Sequence, residues 1–156
     1  MNLEEKAEQA KKLADEERLA DLCHEAKNYF LSYENECKDA YWRQVASMLS
    51  EDKCIQYWYA KSIISSDGKR DLKRAVKLFT KSAKGGYAEA MSYLGYIYEA
   101  VMKKSKKAYF WYKAGADAGN VQCMREVAIC YRDGYGVRAS NSKAQYWFGR
   151  AGQEKK

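Results

Sequence analysis

The 156 residues include no proline, and helix-forming residues dominate, which favours an all-α protein of one domain over residues 1–156. The charged N-terminus is followed by no apolar run, so we expect neither a signal peptide nor a membrane span. Five cysteines without a leader favour a reducing compartment, and the expected location is therefore cytoplasmic.

Three helices are predicted before residue 50. Residues 3–20 carry a narrow apolar stripe on a highly charged helix, for which a frayed arm is the alternative, and the stretches 20–36 and 38–49 form a helix pair. The pair lacks the small-residue spacing of the later chain. A thin apolar stripe beneath a polar outer face is typical of a terminal cap, so we expect residues 1–52 to be capping helices or a degenerate repeat.

One pattern recurs in the rest of the chain. A small residue is followed by a bulky residue three positions on, an aromatic residue four on, and small residues seven and eight on, in copies that begin at Ala75, Ala108 and Ala144. These offsets place the whole set on one helix face. A second pattern precedes each copy, and its Ala90 and Cys123 are separated by the same 33 residues as Ala75 and Ala108. The predicted helices are 53–64, 71–84, 88–101, 105–118, 121–132 and 141–152.

A two-helix unit that recurs every ~30–45 residues indicates an α-solenoid. The run Val127–Val137, with Lys143-Ala144 and Trp147-Phe148 after it, resembles the Sel-one-like repeat, a relative of the tetratricopeptide repeat. The turn Gly134-x-Gly136-Val137 is the most specific part of the resemblance. The resemblance covers about 54–152 and is clearest over 86–152.

The middle unit departs from this pattern. Tyr98 and Ala108 are 10 residues apart, whereas the equivalent Tyr131 and Ala144 are 13 apart, so the loop has lost three residues and both glycines. The resemblance implies a short right-handed α-solenoid of antiparallel helix pairs, with about two and a half recognisable repeats over 53–152. It also implies a non-enzymatic scaffold that binds another protein on the concave face of its repeats.

No residue set points to catalysis, a metal or a cofactor. His24 is the one histidine and has no ligand-spaced companion, so a surface or half-buried helix position is expected. Cys123 and Cys130 share a helix face at roughly 10 Å, which exceeds the reach of a disulfide. Cys123 replaces a repeat alanine, which predicts a small buried core residue. The remaining cysteines, Cys23, Cys37 and Cys54, form no motif.

Tyr93 and Tyr96 fall away from the predicted core stripe of their helix, and exposed tyrosines make good binding anchors. Packing between repeats is the alternative role for this set. The predicted concave binding surface consists of Tyr57, Glu89, Tyr93, Tyr96, Gln122, Arg125, Ile129 and Arg132.

A basic block is the alternative surface. Residues 68–113 hold 12 basic and 3 acidic residues, and the candidate positions are Lys73, Lys77, Lys81, Lys103 and Lys104. They could bind nucleic acid or an acidic partner, or simply form a solvated outer face. The aromatic residues of 75–84 fall on the core side, which makes nucleic acid unlikely. By analogy at the family level, an immunity protein that neutralises a cognate bacterial toxin is a further alternative.

Overall fold

The computed structural model describes residues 52–67 and 72–153, together with Glu5 and His24 at isolated positions. Within these residues the chain forms helices and short turns and no strand. The α-helices are α1 (Lys53–Asp67), α2 (Leu72–Lys84), α3 (Ala88–Tyr96), α4 (Ser105–Asp117), α5 (Val121–Asp133) and α6 (Asn141–Gln153), and a π-helical segment, Ile97–Val101, continues α3. The predicted all-α fold is confirmed, whereas the helices expected over 3–20, 20–36 and 38–49 lie outside the described residues.

The contacts divide the chain into two compact units, with the boundary between Gly85 and Gly86. The first unit contains α1 and α2. The second contains α3 to α6 and the π-helical segment. The single domain expected over 1–156 stays a prediction.

In the first unit, α1 packs against α2. Asp52 caps α1, because its carboxylate accepts a hydrogen bond from the backbone N–H of Ile55 at 2.8 Å. The Tyr57 ring meets the buried Phe79 ring edge to face, with 5.6 Å between the centroids. The Ser82 hydroxyl donates to the backbone carbonyl of Lys53 at 2.5 Å, so the end of α2 is fixed to the start of α1.

In the second unit, each helix packs against the next one along the chain: α3 against α4, α4 against α5, and α5 against α6. The connections are short, which makes consecutive helices antiparallel. Small residues lie where these helices approach most closely, and Gly115 and Ala116 of α4 are both buried. The core of the second unit is formed by Ala108, Tyr112, Ala116, Cys123, Met124, Val127, Ala128, Cys130, Tyr131, Ala144, Trp147 and Ala151.

The aromatic residue of the repeated pattern does not keep one position. Phe79 and Tyr112, four residues after the first small residue of their copies, are buried as expected. In α6 the buried aromatic is instead Trp147, three residues on, whereas Phe148 is 40% exposed and Gly152 is exposed. The expectation of a buried aromatic four residues on was therefore wrong for the last copy, because none of the described residues packs against that side of α6.

The two turns that follow α3 and α5 differ in length but share one conformation. Gly136, five residues after Tyr131, has φ 69°, and a Cβ there would overlap the backbone carbonyl of Ser105. Lys103, five residues after Tyr98, has φ 54°. The shortened loop has therefore kept a left-handed residue, although it has lost the glycine that normally supplies one.

Candidate protein-binding surface

The exposed side of α3 is formed by residues spaced at i, i+4 and i+7. Ala90, Leu94 and Gly95 are buried, which turns Glu89, Tyr93 and Tyr96 toward the opposite side of the helix. Glu89 is exposed, Tyr93 is half-buried, and Tyr96 is 53% exposed.

The two tyrosine rings of α3 lie together. Their centroids are 5.9 Å apart at an interplanar angle of 50°. Burial raises the pKa of the Tyr93 hydroxyl, and the neighbouring Tyr96 adds to the effect. The pair therefore offers a fixed aromatic surface, which is the kind of side-chain arrangement that anchors protein interfaces.

The same positions of α5, 33 residues on, are Gln122, Glu126 and Ile129. Gln122 is exposed, whereas Glu126 and Ile129 are half-buried. The side-chain amide of Gln122 donates to the Glu126 carboxylate at 2.6 Å. Nearby on α5, the half-buried Arg125 and the exposed Arg132 add positive charge, but Arg132 is already paired with Asp133 at 2.7 Å.

Contacts between α3 and α5 join these two sets of residues. The Cys123 thiol of α5 hydrogen-bonds with the Ser92 side chain of α3. Burial raises the pKa of this thiol to about 11, and the charges of Glu126 and Glu89 act in the same direction. Carboxylates from both helices therefore lie close enough to the one thiol to influence its ionisation.

A third carboxylate lies farther along the boundary between α3 and α5. The hydroxyl of Tyr112 donates to Glu99 at 2.7 Å. Burial, this hydrogen bond and then the charges of Glu99 and Glu126 raise the Tyr112 pKa well above its ordinary range. The pKa of Cys130 rises to about 12, mainly through burial and next through the charge of Glu99. We define the α3–α5 face as Glu89, Tyr93, Tyr96, Gln122, Arg125, Glu126, Ile129 and Arg132.

Tyr57, the remaining residue of the predicted surface, is placed differently. It is 9% exposed and packs in the first unit against Trp58 and Phe79, with ring centroids 5.0 and 5.6 Å away. Its burial leaves it out of the α3–α5 face. The sequence prediction took Tyr57 as the counterpart of Tyr93 from a spacing of 36 residues, which is longer than the 33-residue spacing found between α3 and α5.

The lysines of the alternative basic surface are exposed. Lys73, Lys77 and Lys81 lie along α2 in the first unit, whereas Lys103 and Lys104 form the turn before α4 in the second. Their exposure agrees with a solvated outer face and equally with an electrostatic binding surface, so both roles stay predictions.

Two features of the surface were not in the sequence prediction. The first is the carboxylates Glu99 and Glu126, although the position of Glu126, 33 residues after Tyr93, was a usable signal. The second is a set of exposed aromatic residues on the second helices of the repeats, where Phe110 is 61% and Tyr146 is 60% exposed. Sequence reasoning assigned aromatics of α4 and α6 to the core from the repeated pattern alone.

The cysteines behave differently in the two units. Cys123 and Cys130 are buried free thiols, as the alanine-like position of Cys123 predicted. Cys54 is disulfide-bonded, which does not fit the reducing compartment that the cysteine count favoured, and the cytoplasmic location stays a prediction.

The described residues were also compared with the requirements of metal and membrane sites. They contain no group of three or more histidine, cysteine or acidic side chains that could hold a metal ion. His24 is exposed, in keeping with a surface position. None of the helices in the described ranges has both the length and the apolar composition needed to cross a membrane.

Known proteins with a related sequence share only part of their length with this chain. A stretch of 70 residues is 37% identical to chitin synthase regulatory factor 2 of Schizosaccharomyces pombe, which corresponds to 42% of this chain and 14% of that protein. The chain thus spans about a seventh of this curated relative.

Three solved structures show a similar fold at lower identity. A Sel1 repeat protein from Oxalobacter formigenes has a TM-score of 0.67 at 20% identity, over 83% of this chain and 55% of that one. The protective antigen c5321 of uropathogenic Escherichia coli, which has an SLR fold, reaches 0.74 at 22%, over 100% and 34%. MamA gives 0.63 at 16%, over 96% and 86%. These likenesses confirm the fold class as that of tetratricopeptide-like helical repeats.

The Sel1 repeat matches the chain three times, over residues 56–87, 88–120 and 121–155. The boundaries follow the helix pairs α1–α2, α3–α4 and α5–α6. The first pair is thus a repeat of its own, and the expected two and a half recognisable repeats become three. The chain belongs to the Sel1 repeat family.

Proposed function

We propose that the chain is a non-enzymatic interaction module that binds a partner protein on the α3–α5 face. Sel1 repeat proteins generally mediate interactions between proteins. The observation that carries the proposal for this chain is the Tyr93–Tyr96 pair, because a large aromatic side chain that is half exposed and held by a second ring is a typical interface anchor.

The helix packing supports this choice of surface. The first helices of the second and third repeats, α3 and α5, turn their small and apolar residues inward. Their outward residues repeat with the 33-residue spacing, so a partner can contact equivalent positions of two repeats in turn. Ile129 adds an apolar contact on α5, in the position that Tyr96 has on α3.

The test is capture of the partner by the full chain, followed by variants of one exposed tyrosine on each kind of helix. We expect Tyr96→Ala to weaken partner binding by ~2 kcal/mol or more, as loss of an interface anchor does. Tyr146→Ala is the matched control, since Tyr146 is also exposed but lies on α6. Circular dichroism establishes that both variants stay folded. Loss of binding in Tyr146→Ala with full binding in Tyr96→Ala would refute the proposed surface.

A further inference from the structure

Charge is segregated between the two kinds of helix in the second unit. Over α3, the π-helical segment and α5, the sequence has four acidic and two basic residues. Over α4, α6 and the connections 102–104, 118–120 and 134–140, it has one acidic and eight basic residues. The positive net charge of this unit is therefore carried by the second helices and the turns, whereas the first helices are slightly acidic.

The carboxylates of the first helices are not neutralised within the described residues. Glu89 is exposed and forms no ion pair there, and the one hydrogen bond of Glu126 comes from the uncharged Gln122 amide. Arg132 is already paired with Asp133. The influence of Glu89 and Glu126 on the Cys123 thiol shows that both charges act on the same part of the α3–α5 boundary.

Cations cover aromatic rings elsewhere in this unit. Lys107 lies 5.4 Å from the Tyr98 ring centroid, Lys143 lies 5.3 Å from the Tyr131 centroid, and Trp147 has Lys113 and Arg150 at 5.1 and 5.0 Å. All four cations belong to α4 or α6. No described lysine or arginine lies over the exposed ring of Tyr96, whose aromatic neighbour is Tyr93. This ring is thus open to a cation from outside the chain.

We propose that the partner segment bound on the α3–α5 face is basic, with arginine or lysine side chains on either side of apolar anchors. One cation would lie over the exposed Tyr96 ring, and others would approach Glu89 and Glu126, while apolar groups contact Ile129. This inference rests on the proposed function and names the chemistry of its partner. An acidic segment or a nucleic acid would instead bring negative charge against unneutralised carboxylates, which disfavours both on this face.

The probes are two fluorescein-labelled 16-residue amphipathic peptides that share the same leucine positions. One has arginine and the other has glutamate at every polar position. Anisotropy titrations use the full chain at physiological ionic strength, where exposed charges at long range are screened. We expect the arginine peptide to bind more tightly than the glutamate peptide, although the chain has a formal net charge of +7.

Two variants with the same change in net charge locate the attraction. Glu89→Lys, on the α3–α5 face, should weaken binding of the arginine peptide about tenfold, since repulsion replaces an exposed attractive pair. Asp117→Lys, at an exposed position of α4, should change it by less than about twofold. Tyr96→Ala should also weaken it, because both the ring and its cation contact are lost.

The outcomes separate this inference from the proposed function. If Tyr96→Ala weakens binding of the arginine peptide and of the captured partner while Glu89→Lys leaves both unchanged, the surface stands and the basic partner is refuted. If neither variant affects either ligand, both proposals fail. Tighter binding of the glutamate peptide, equal effects of Glu89→Lys and Asp117→Lys, or no binding of the arginine peptide would each overturn the inference.

Discussion

Gly95 of α3 lies directly against the ring of Tyr112 of α4: a Cβ atom at Gly95 would overlap the ring atoms Cδ1 and Cε1. The ring has little freedom to move, because it is 3% exposed and its hydroxyl donates to Glu99 at 2.7 Å. This contact holds α3 and α4 close together and thereby fixes the direction in which Tyr93 and Tyr96 point.

We expect Gly95→Ala to destabilise the chain by ~1–3 kcal/mol, because overpacking outweighs the better helix propensity of alanine. Urea denaturation followed by circular dichroism measures the change. Gly149→Ala on α6 is the control, since a Cβ there meets nothing within 4 Å. It should stabilise by roughly 0.5–1 kcal/mol. Similar effects of the two alanine substitutions would contradict the close contact.

Lys103 should tolerate replacement by glycine better than lysine tolerates its own backbone conformation. Its φ of 54° is unfavourable for a residue with a Cβ, and Lys103→Gly should therefore stabilise the chain by ~0.5–1 kcal/mol after the entropy cost of glycine is subtracted. The neighbouring Lys104 has φ −108°, so Lys104→Gly should give no gain. Denaturation midpoints of the two variants compare them directly, and equal midpoints would show that residue 103 carries no strain.

Stability should fall in alkali because of the buried thiols. The pKa values of Cys123 and Cys130 rise from an ordinary 9.0 to about 11 and about 12 in the folded chain, chiefly through burial. Above pH 9 the unfolded state therefore releases these protons before the folded state does. The contribution of each thiol is complete below pH 9 and declines as the pH rises toward its folded pKa, by at most about 1.4 kcal/mol per pH unit.

The measurement is the free energy of unfolding between pH 8 and pH 11, with the chain and Cys123→Ala compared. Alanine is the residue that the repeated pattern has at this position, and the variant removes one of the titrating thiols. It should lose less stability per pH unit than the unaltered chain. Equal slopes would show that the Cys123 thiol ionises as readily in the folded state as in the unfolded one.

Much of the fold follows from the spacing of small and aromatic residues. Ala75, Ala108 and Ala144 repeat the same helix face, and they are all buried in the structure. The six predicted helices after residue 52 are confirmed with end shifts of at most three residues, the largest at the end of α1, which continues to Asp67. These features depend on residues that are close in sequence, and periodicity reports them directly.

The features that the sequence did not reveal depend on contacts between helices. The change from α-helix to π-helix after Tyr96 accompanies a backbone hydrogen bond from Met102 to Ile97, and no residue pattern signals it. The burial of Tyr57 follows from its packing against Phe79 of α2. The acidic character of the α3–α5 face arises because Glu99 and Glu126, 27 positions apart, come close to the same Tyr112 side chain.

Hydroxyl-radical footprinting of the chain with and without its captured partner tests the binding surface most directly, because it reports the exposure of individual side chains without any substitution. Tyr96 and Tyr146 are both well exposed in the free chain, at 53% and 60%. The account predicts that the partner protects Tyr96 and leaves Tyr146 and Phe110 as reactive as before. Protection of Tyr146 and Phe110 with Tyr96 unchanged would place the partner on the second helices of the repeats and contradict the account.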